Sequence, residues 1–199
     1  MELLKQHVSP TRILDVGAHG GESYALFRQA WPQAKIMSVE ANPACERALR
    51  ASGADYRIAL LWSEQGTTEF YRTREDVTST GCSVYRELTH HFRDEMLEVL
   101  RLPCTTLDTL FPGEAFDFIK LDTQGSELEI LRGGWKLLRH AKHLLLEVSL
   151  IAYNAGAPLR PEVDAALERM GFFPVVQVGE DRNSTGELIQ EDILYASKV

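Results

Sequence analysis

The run Asp15-Val16-Gly17-Ala18-His19-Gly20 puts a carboxylate, an imidazole and two glycines into six consecutive residues. An apolar stretch of strand length, Arg12–Val16, precedes it, and a helical pattern from Glu22 to Ala30 follows. This is a strand-to-helix turn, and in an open parallel sheet ligands sit beyond the carboxyl ends of the strands. Glycines at positions 17 and 20 let backbone approach a ligand closely. A dinucleotide fingerprint reads Gly-x-Gly-x-x-Gly, with the diphosphate on the helix N-terminus. Here Asp15 stands in place of the first of those glycines. A carboxylate there repels a diphosphate and suits a ligand that carries positive charge.

Glu40 ends a second apolar run, Lys35–Glu40, and lies 20 residues beyond Gly20. An acidic side chain at that strand end is placed to hold both ribose hydroxyls. Alone, Asp15 reads as a helix-start carboxylate and Glu40 as a solvated strand end. At this spacing they point together to a cationic nucleoside, and S-adenosylmethionine, with its ammonium and sulfonium, has that chemistry. The cofactor set expected is Asp15, Gly17, Ala18, His19, Gly20, Glu40, Ala41, Asn42 and Asp122. His19 reads equally as an exposed loop histidine.

Asp122 closes a third apolar run, Phe116–Leu121, on the same sheet edge as the turn. Its bland reading is an N-cap for the helix that starts near Ser126. An alcohol is a weak nucleophile, so methyl transfer to one gains from a positioned base or a metal. Asp122 is the first candidate for that role, with His19 and Glu147 after it. Lys120 and Glu147 lie inside apolar strands, where an unpaired charge is costly, and mutual pairing is the structural expectation. Tyr153, in the loop after Leu144–Ser149, is a candidate substrate contact.

The elements that must position these groups follow from periodicity. After Glu40, Asn42-Pro43 reads as N-cap and first helical residue, for a helix running to Ser52 with Gly53 as its left-handed stop. Tyr56–Leu61 reads as a strand and Thr67–Tyr71 as its hairpin partner. Phe116–Leu121 and Leu144–Ser149 suit central strands covered on both faces. Ser126–Leu138 is helical, interrupted at Gly133-Gly134, and Pro161–Met170 is a further helix. Phe173–Val178 and Asp192–Ala196 close the chain as an antiparallel pair. The expectation is a single α/β domain over residues 1–199, with a mostly parallel sheet, an antiparallel last strand and helices on both faces. Residues 75–102 fall outside the pattern. Tyr85–Leu100, with Leu88, Phe92, Met96 and Val99 on one helical face, is expected to be a helix, packed on the core or serving as a lid.

Net charge is −8, with 21 Lys and Arg against 29 Asp and Glu, and no basic stripe. That argues against a nucleic-acid backbone as the main partner. No apolar run approaches the roughly 20 residues of a membrane span, and the N-terminus lacks a signal-peptide pattern. Three cysteines without metal-ligand spacing read as reduced thiols in a cytoplasmic protein. No metal ligand set is assigned from sequence, and the sequence does not fix an oligomeric state.

Six stretches together resemble the FkbM-type methyltransferases, a branch of the Rossmann-like class I S-adenosylmethionine-dependent enzymes. They are Ile13–Gly21, Val39–Pro43, Thr106–Leu110, Asp117–Glu129, and the pair Leu146–Ser149 with Gln190–Tyr195. The resemblance implies methyl transfer from S-adenosylmethionine to a hydroxyl of a sugar or other small metabolite, with Asp15, Gly17 and Gly20 in the cofactor turn and Glu40 on the ribose. His19 replaces an asparagine of many members, and Gln124 replaces a glutamate. The second change bears on any multi-carboxylate metal site, so a divalent metal stays open. With few residues before the first strand, cover for the substrate is expected from residues 75–102 or 151–160, or from another subunit. A cofactor-binding domain without catalysis and, more remotely, an NAD-dependent oxidoreductase are the competing readings.

Overall fold

The computed structural model describes residues 1–89 and 92–198. A short helix α1 (Glu2–His7) leads into β1 (Arg12–Val16), α2 (Glu22–Ala30), β2 (Lys35–Glu40), α3 (Glu46–Ser52) and β3 (Asp55–Ile58). Three strands then make a small sheet: β4 (Leu60–Leu61), β5 (Gly66–Thr73) and β6 (Leu97–Thr105). The chain continues through α4 (Leu107–Leu110), β7 (Phe118–Leu121), α5 (Glu127–Arg132), α6 (Trp135–Leu138) and β8 (His143–Ser149). It closes with α7 (Arg160–Arg169), β9 (Phe172–Arg182) and β10 (Leu188–Ser197).

The large sheet has the order β3-β2-β1-β7-β8-β10-β9. Strands β2, β1, β7 and β8 run parallel, and β10 is antiparallel to both β8 and β9. All four residues of β7 are buried, as expected of a strand covered on both faces. Alternation decides which face each residue serves. Ile13 and Phe118 pack with Leu4 and Phe27 on one side, whereas Leu14, Val16, Ile119 and Leu121 join Leu131, Leu137 and Leu167 on the other. Strand order reverses between β1 and β7, because the chain moves outward through β2 and β3 and then returns beside β1. A ligand crevice belongs at that switch point.

The cap read at Asn42-Pro43 is present: the Asn42 side chain accepts the Ala44 amide at 3.1 Å, and a 3₁₀ turn at Pro43–Cys45 leads into α3. Gly53 takes φ 80° at the end of that helix.

Three expectations need correction. Among the described residues, 85–100 do not form the expected helix: Leu97–Thr105 is strand β6, paired antiparallel with β5 from Thr73↔Leu97 to Gly66↔Cys104. Leu88 and Val99, expected on a buried stripe, are 58% and 46% exposed, while Phe92 is buried. The period along 97–104 is nearer two than 3.6, and the helical stripe ran across two unrelated segments. His90 and His91, in the middle of that expected helix, lie outside the described residues. The strand read at Tyr56–Leu61 breaks at Ala59, because Leu61 joins the main core while Leu60 turns toward Phe70 and Cys104. Accordingly β5 pairs with β6 rather than with β4. The third correction concerns Lys120, described with the site.

Candidate functional site

A cavity of about 470 Å³ opens at the carboxyl ends of β1, β2, β7 and β8, within the ~300–1,000 Å³ of small-ligand sites. Its floor crosses the switch point. From β2 to β8 is three strand spacings, roughly 14 Å, so groups at those two strand ends meet opposite parts of one ligand or two different ligands.

At the β2 end, Glu40, Ala41, Asn42 and Cys45 line the cavity, with Leu60 and Leu61 behind them. Glu40 is 8% exposed, and its two oxygens accept the His19 amide at 2.8 Å and the Asn42 amide at 2.7 Å. Burial pushes its carboxyl up from the usual range, and those two N–H groups oppose the shift. A carboxylate has about four acceptor positions, so two remain for hydroxyl groups. His19 holds φ 47°, its Nε2 donates to the Thr78 carbonyl, and its Nδ1 stands 3.3 Å from Glu22. Burial lowers the His19 pKa, but the Thr78 carbonyl and Glu22 together outweigh that and raise it. Acceptors at both ring nitrogens favour the imidazolium.

Gly17 lines the cavity, whereas Ala18 and Gly20 do not. The close approach that requires glycine at 17 is to backbone: at φ 77°, a Cβ there would sit 1.8 Å from the Asp122 carbonyl oxygen. Asp15 has no exposed surface and stands behind the cavity wall. Register puts it directly beside Ser38 on β2 and Lys120 on β7. The Lys120 ammonium lies 3.5 Å from Asp15 and 3.2 Å from Asp122, and donates to the Gly17 carbonyl at 3.1 Å. Lys120 therefore pairs with these two aspartates and not with Glu147, because its register partner on β8 is Leu145. Burial alone would lower the Lys120 pKa, but Asp122 and Asp15 more than offset it and keep the ammonium charged. Burial pushes the Asp15 carboxyl up, against the pull of Lys120.

At the β8 end the lining is polar: Asp122, Gln124, Glu147, Tyr153, Asp181 and Gln190. The Gln124 amide donates to Asp122 Oδ1 at 3.1 Å and to Glu147 Oε2 at 2.6 Å, and Gln190 donates to the same Glu147 oxygen at 2.8 Å. Burial, then Asp122, Glu127, Asp192 and Asp181, push the Glu147 carboxyl up to about 9. Gln124 holds φ 55°, a left-handed conformation that costs a non-glycine residue about 1–2 kcal/mol. The Ser83 hydroxyl bonds its carbonyl and that of Thr123, each at 3.0 Å, and Glu127 accepts the Thr123 and Gly125 amides.

Residues 79–84 form the opposite wall. Val77 accepts the Asn42 side-chain amide at 2.6 Å, Thr78 accepts from His19, and Ser83 reaches Gln124, so this strap is tied to both ends of the floor. Sequence reasoning named Asp122, Glu147, His19, Glu40, Ala41 and Asn42, all of which line this one cavity. It missed Gln190, Asp181 and Ser83. Asp181 sits in β9 beyond the expected strand end at Val178, and Ser83 lies in a stretch read only as loop. Among the described residues, no three His, Cys, Asp or Glu side chains gather as a metal site, and no helix is long and apolar enough to cross a membrane.

The model of the methyltransferase FkbM domain matches residues 15–174. The chain belongs to this family. A crystal structure of methyltransferase FkbM from Methylobacillus flagellatus superposes with a TM-score of 0.57 at 14% identity, over 94% of this chain and 43% of that one. The chain thus spans less than half the length of that relative. The 1,6-didemethyltoxoflavin-N1-methyltransferase of Burkholderia thailandensis, solved with 1,6-didemethyltoxoflavin and S-adenosylhomocysteine bound, gives 0.51 at 15% identity over 100% of this chain and 76% of that one. The magnesium protoporphyrin IX methyltransferase of Synechocystis, solved with S-adenosylmethionine, gives 0.55 at 11% over 98% and 74%. At these identities the likeness shows the fold, which is that of the class I S-adenosylmethionine-dependent methyltransferases. No curated protein matches the chain.

Proposed function

We propose that this FkbM-family chain binds S-adenosylmethionine across the β1–β2 end of the cavity and methylates a hydroxyl of a sugar or other small metabolite at the β8 end. The observation that carries the reading is one cavity with a buried carboxylate at one end and a carboxyl pair held by amides at the other. The side chains present fit the cofactor. Glu40 keeps acceptor positions for two ribose hydroxyls, Leu60, Leu61 and Cys45 offer apolar contact to a base, and Asp122 supplies negative charge beside the turn. Asp15 acts from behind, holding Lys120 and through it the Gly17 carbonyl. His19 shapes the turn and ties down the strap, and the strap serves as the cover expected of residues 75–102.

S-adenosylmethionine supplies an electrophilic methyl group. The protein must place an acceptor oxygen in line with it, and positioning of this kind is worth up to ~7–11 kcal/mol. Both oxygens of Asp122 are engaged, one by Lys120 and the other by Gln124. Glu147 keeps Oε1 without a hydrogen-bond partner among the described residues. We therefore assign proton acceptance to Glu147: its ionised Oε1 would take the hydroxyl proton as the C–O bond forms and the methyl–sulfur bond breaks, with the neutral thioether S-adenosylhomocysteine leaving. Asp122 orients, and Tyr153 lines the same end of the cavity. The net charge of −8 and the acidic lining support an uncharged or cationic small molecule over a polyanion.

The test is methyl transfer from radiolabelled S-adenosylmethionine to a panel of sugars and hydroxylated metabolites, with and without chelator, using wild type and Glu147→Gln. Label appearing in an alkali-stable ether in wild type alone supports the reading. Label in an amine or carboxyl product, or equal transfer by the variant, overturns it.

A further inference from the structure

Gln124 does something at the β8 end that no other lining residue does: one carboxamide bridges two carboxyl groups. Its two N–H bonds go to Asp122 Oδ1 and Glu147 Oε2. Asp122 is in turn fastened through Oδ2 to Lys120, whose ammonium also bonds the Gly17 carbonyl. A continuous chain of polar contacts thus runs from the turn after β1, through Lys120, Asp122 and Gln124, to Glu147 on β8. We infer that Gln124 is the positioning residue of the acceptor end, fixing Glu147 so that Oε2 faces the two amides and Oε1 faces the cavity. The functional meaning of this arrangement rests on the acceptor reading above, whereas its geometry does not.

Residue type and backbone both fit the role. Two acceptors must be bridged by one side chain, and a carboxamide carries two donors on one nitrogen. A carboxylate in its place would offer none and would add a negative charge beside Asp122. The left-handed backbone at 124 is fixed by Ser83 on its carbonyl and by Glu127 on the amides of Thr123 and Gly125. The backbone that carries the side chain is therefore held, and the two bonds to Asp122 and Glu147 aim the amide. Because Ser83 belongs to the strap, seating of the strap and aim of Glu147 are mechanically joined.

The charged and titratable groups around Glu147 come from several elements. Asp122 and Lys120 approach from β7, Glu127 from α5, Asp181 from β9, Asp192 from β10 and Tyr153 from the loop after β8. Within this surrounding, hydrogen bonds donated to the ionised carboxyl favour that form, so losing the Gln124 donor must move the Glu147 titration upward.

The experiment is a carboxyl-carbon NMR titration of the full chain without cofactor, with the Glu147 resonance assigned from Glu147→Gln. In wild type the midpoint is expected near 9, and Gln124→Met is expected to raise it by about one pH unit or more. In nitrogen-labelled wild type, the Gln124 side-chain amide should shift with the same midpoint as Glu147, a readout that needs no variant to fold. A merely structural glutamine would lower the unfolding midpoint of the variant and leave the titration where it was. An unchanged Glu147 midpoint in a folded Gln124→Met protein overturns the inference, as does a Gln124 amide that ignores the Glu147 titration. Failure to bind S-adenosylmethionine would sink the proposed function and leave this result untouched.

Discussion

Lys120 and Asp15 stand opposite one another on adjacent parallel strands, with the ammonium 3.5 Å from a carboxylate that has no exposed surface. The first residue of the glycine-rich turn is thus joined to the strand that carries Asp122, and the cofactor turn is braced from behind. Breaking a buried ion pair from one side costs about 3–5 kcal/mol, and the surviving contact of Lys120 with Asp122 holds the cost toward the lower end. Asp15→Asn should therefore lower stability by about 3 kcal/mol in urea unfolding at neutral pH. Stability within about 0.5 kcal/mol of wild type would show that the pair does not brace the turn.

Gly17→Ala tests the same junction from the backbone side. The added methyl would fall 1.8 Å from the Asp122 carbonyl oxygen at a φ of 77°. Left-handed strain and overpacking together predict a loss of about 2–4 kcal/mol, read as a lower denaturant midpoint. A neutral result would mean that the two strand-end turns do not touch.

Glu40→Gln should act on binding. An amide oxygen still accepts a hydrogen bond, but the charge is gone and one of the two backbone amides, from His19 or Asn42, is left facing an NH₂ group. Hydrogen bonds to a charged group are worth about 1.5–3 kcal/mol, so affinity for S-adenosylhomocysteine should fall roughly 10- to 100-fold in calorimetry. If Asp15→Asn weakened binding by folded protein more than Glu40→Gln, Asp15 rather than Glu40 would be the residue in contact.

Glu147 should trade stability for activity. Its folded pKa, near 9, lies above that of an unfolded glutamate. The native state therefore binds more protons between those two values, and stability falls as pH rises through that window. Glu147→Gln should raise the unfolding midpoint at pH 7–8, by an amount on the order of 1–3 kcal/mol, and abolish transfer. The wild-type transfer rate should climb with pH toward about 9 as the carboxyl ionises. A rate that falls across that range, or an active Glu147→Gln enzyme, would remove Glu147 from proton acceptance.

Strands β1, β2, β7 and β8 were legible because each is a short, largely apolar run closed by a polar or glycine turn, and all four residues of β7 are buried. The small sheet was not, because Leu88, Phe92, Met96 and Val99 match a helical stripe although only Val99 belongs to β6. Only pairing with β5, a long-range contact, decides between helix and strand. Glu40 and Asp122 were legible as acidic residues at strand ends. The orientation of Asp15 was not: its spacing places it in the turn, but register with Lys120 turns it toward the interior. Gln124 was visible only as a departure from its family's pattern, since its bridge depends on where β8 lies.

Titration calorimetry of the purified chain with S-adenosylhomocysteine, set against NAD, decides which cofactor the β1–β2 end of the cavity takes. Saturable binding of S-adenosylhomocysteine, weakened in Glu40→Gln, and none of NAD, is the expected result. Binding of NAD without S-adenosylhomocysteine, or S-adenosylhomocysteine affinity that Glu40→Gln leaves unchanged, would contradict it.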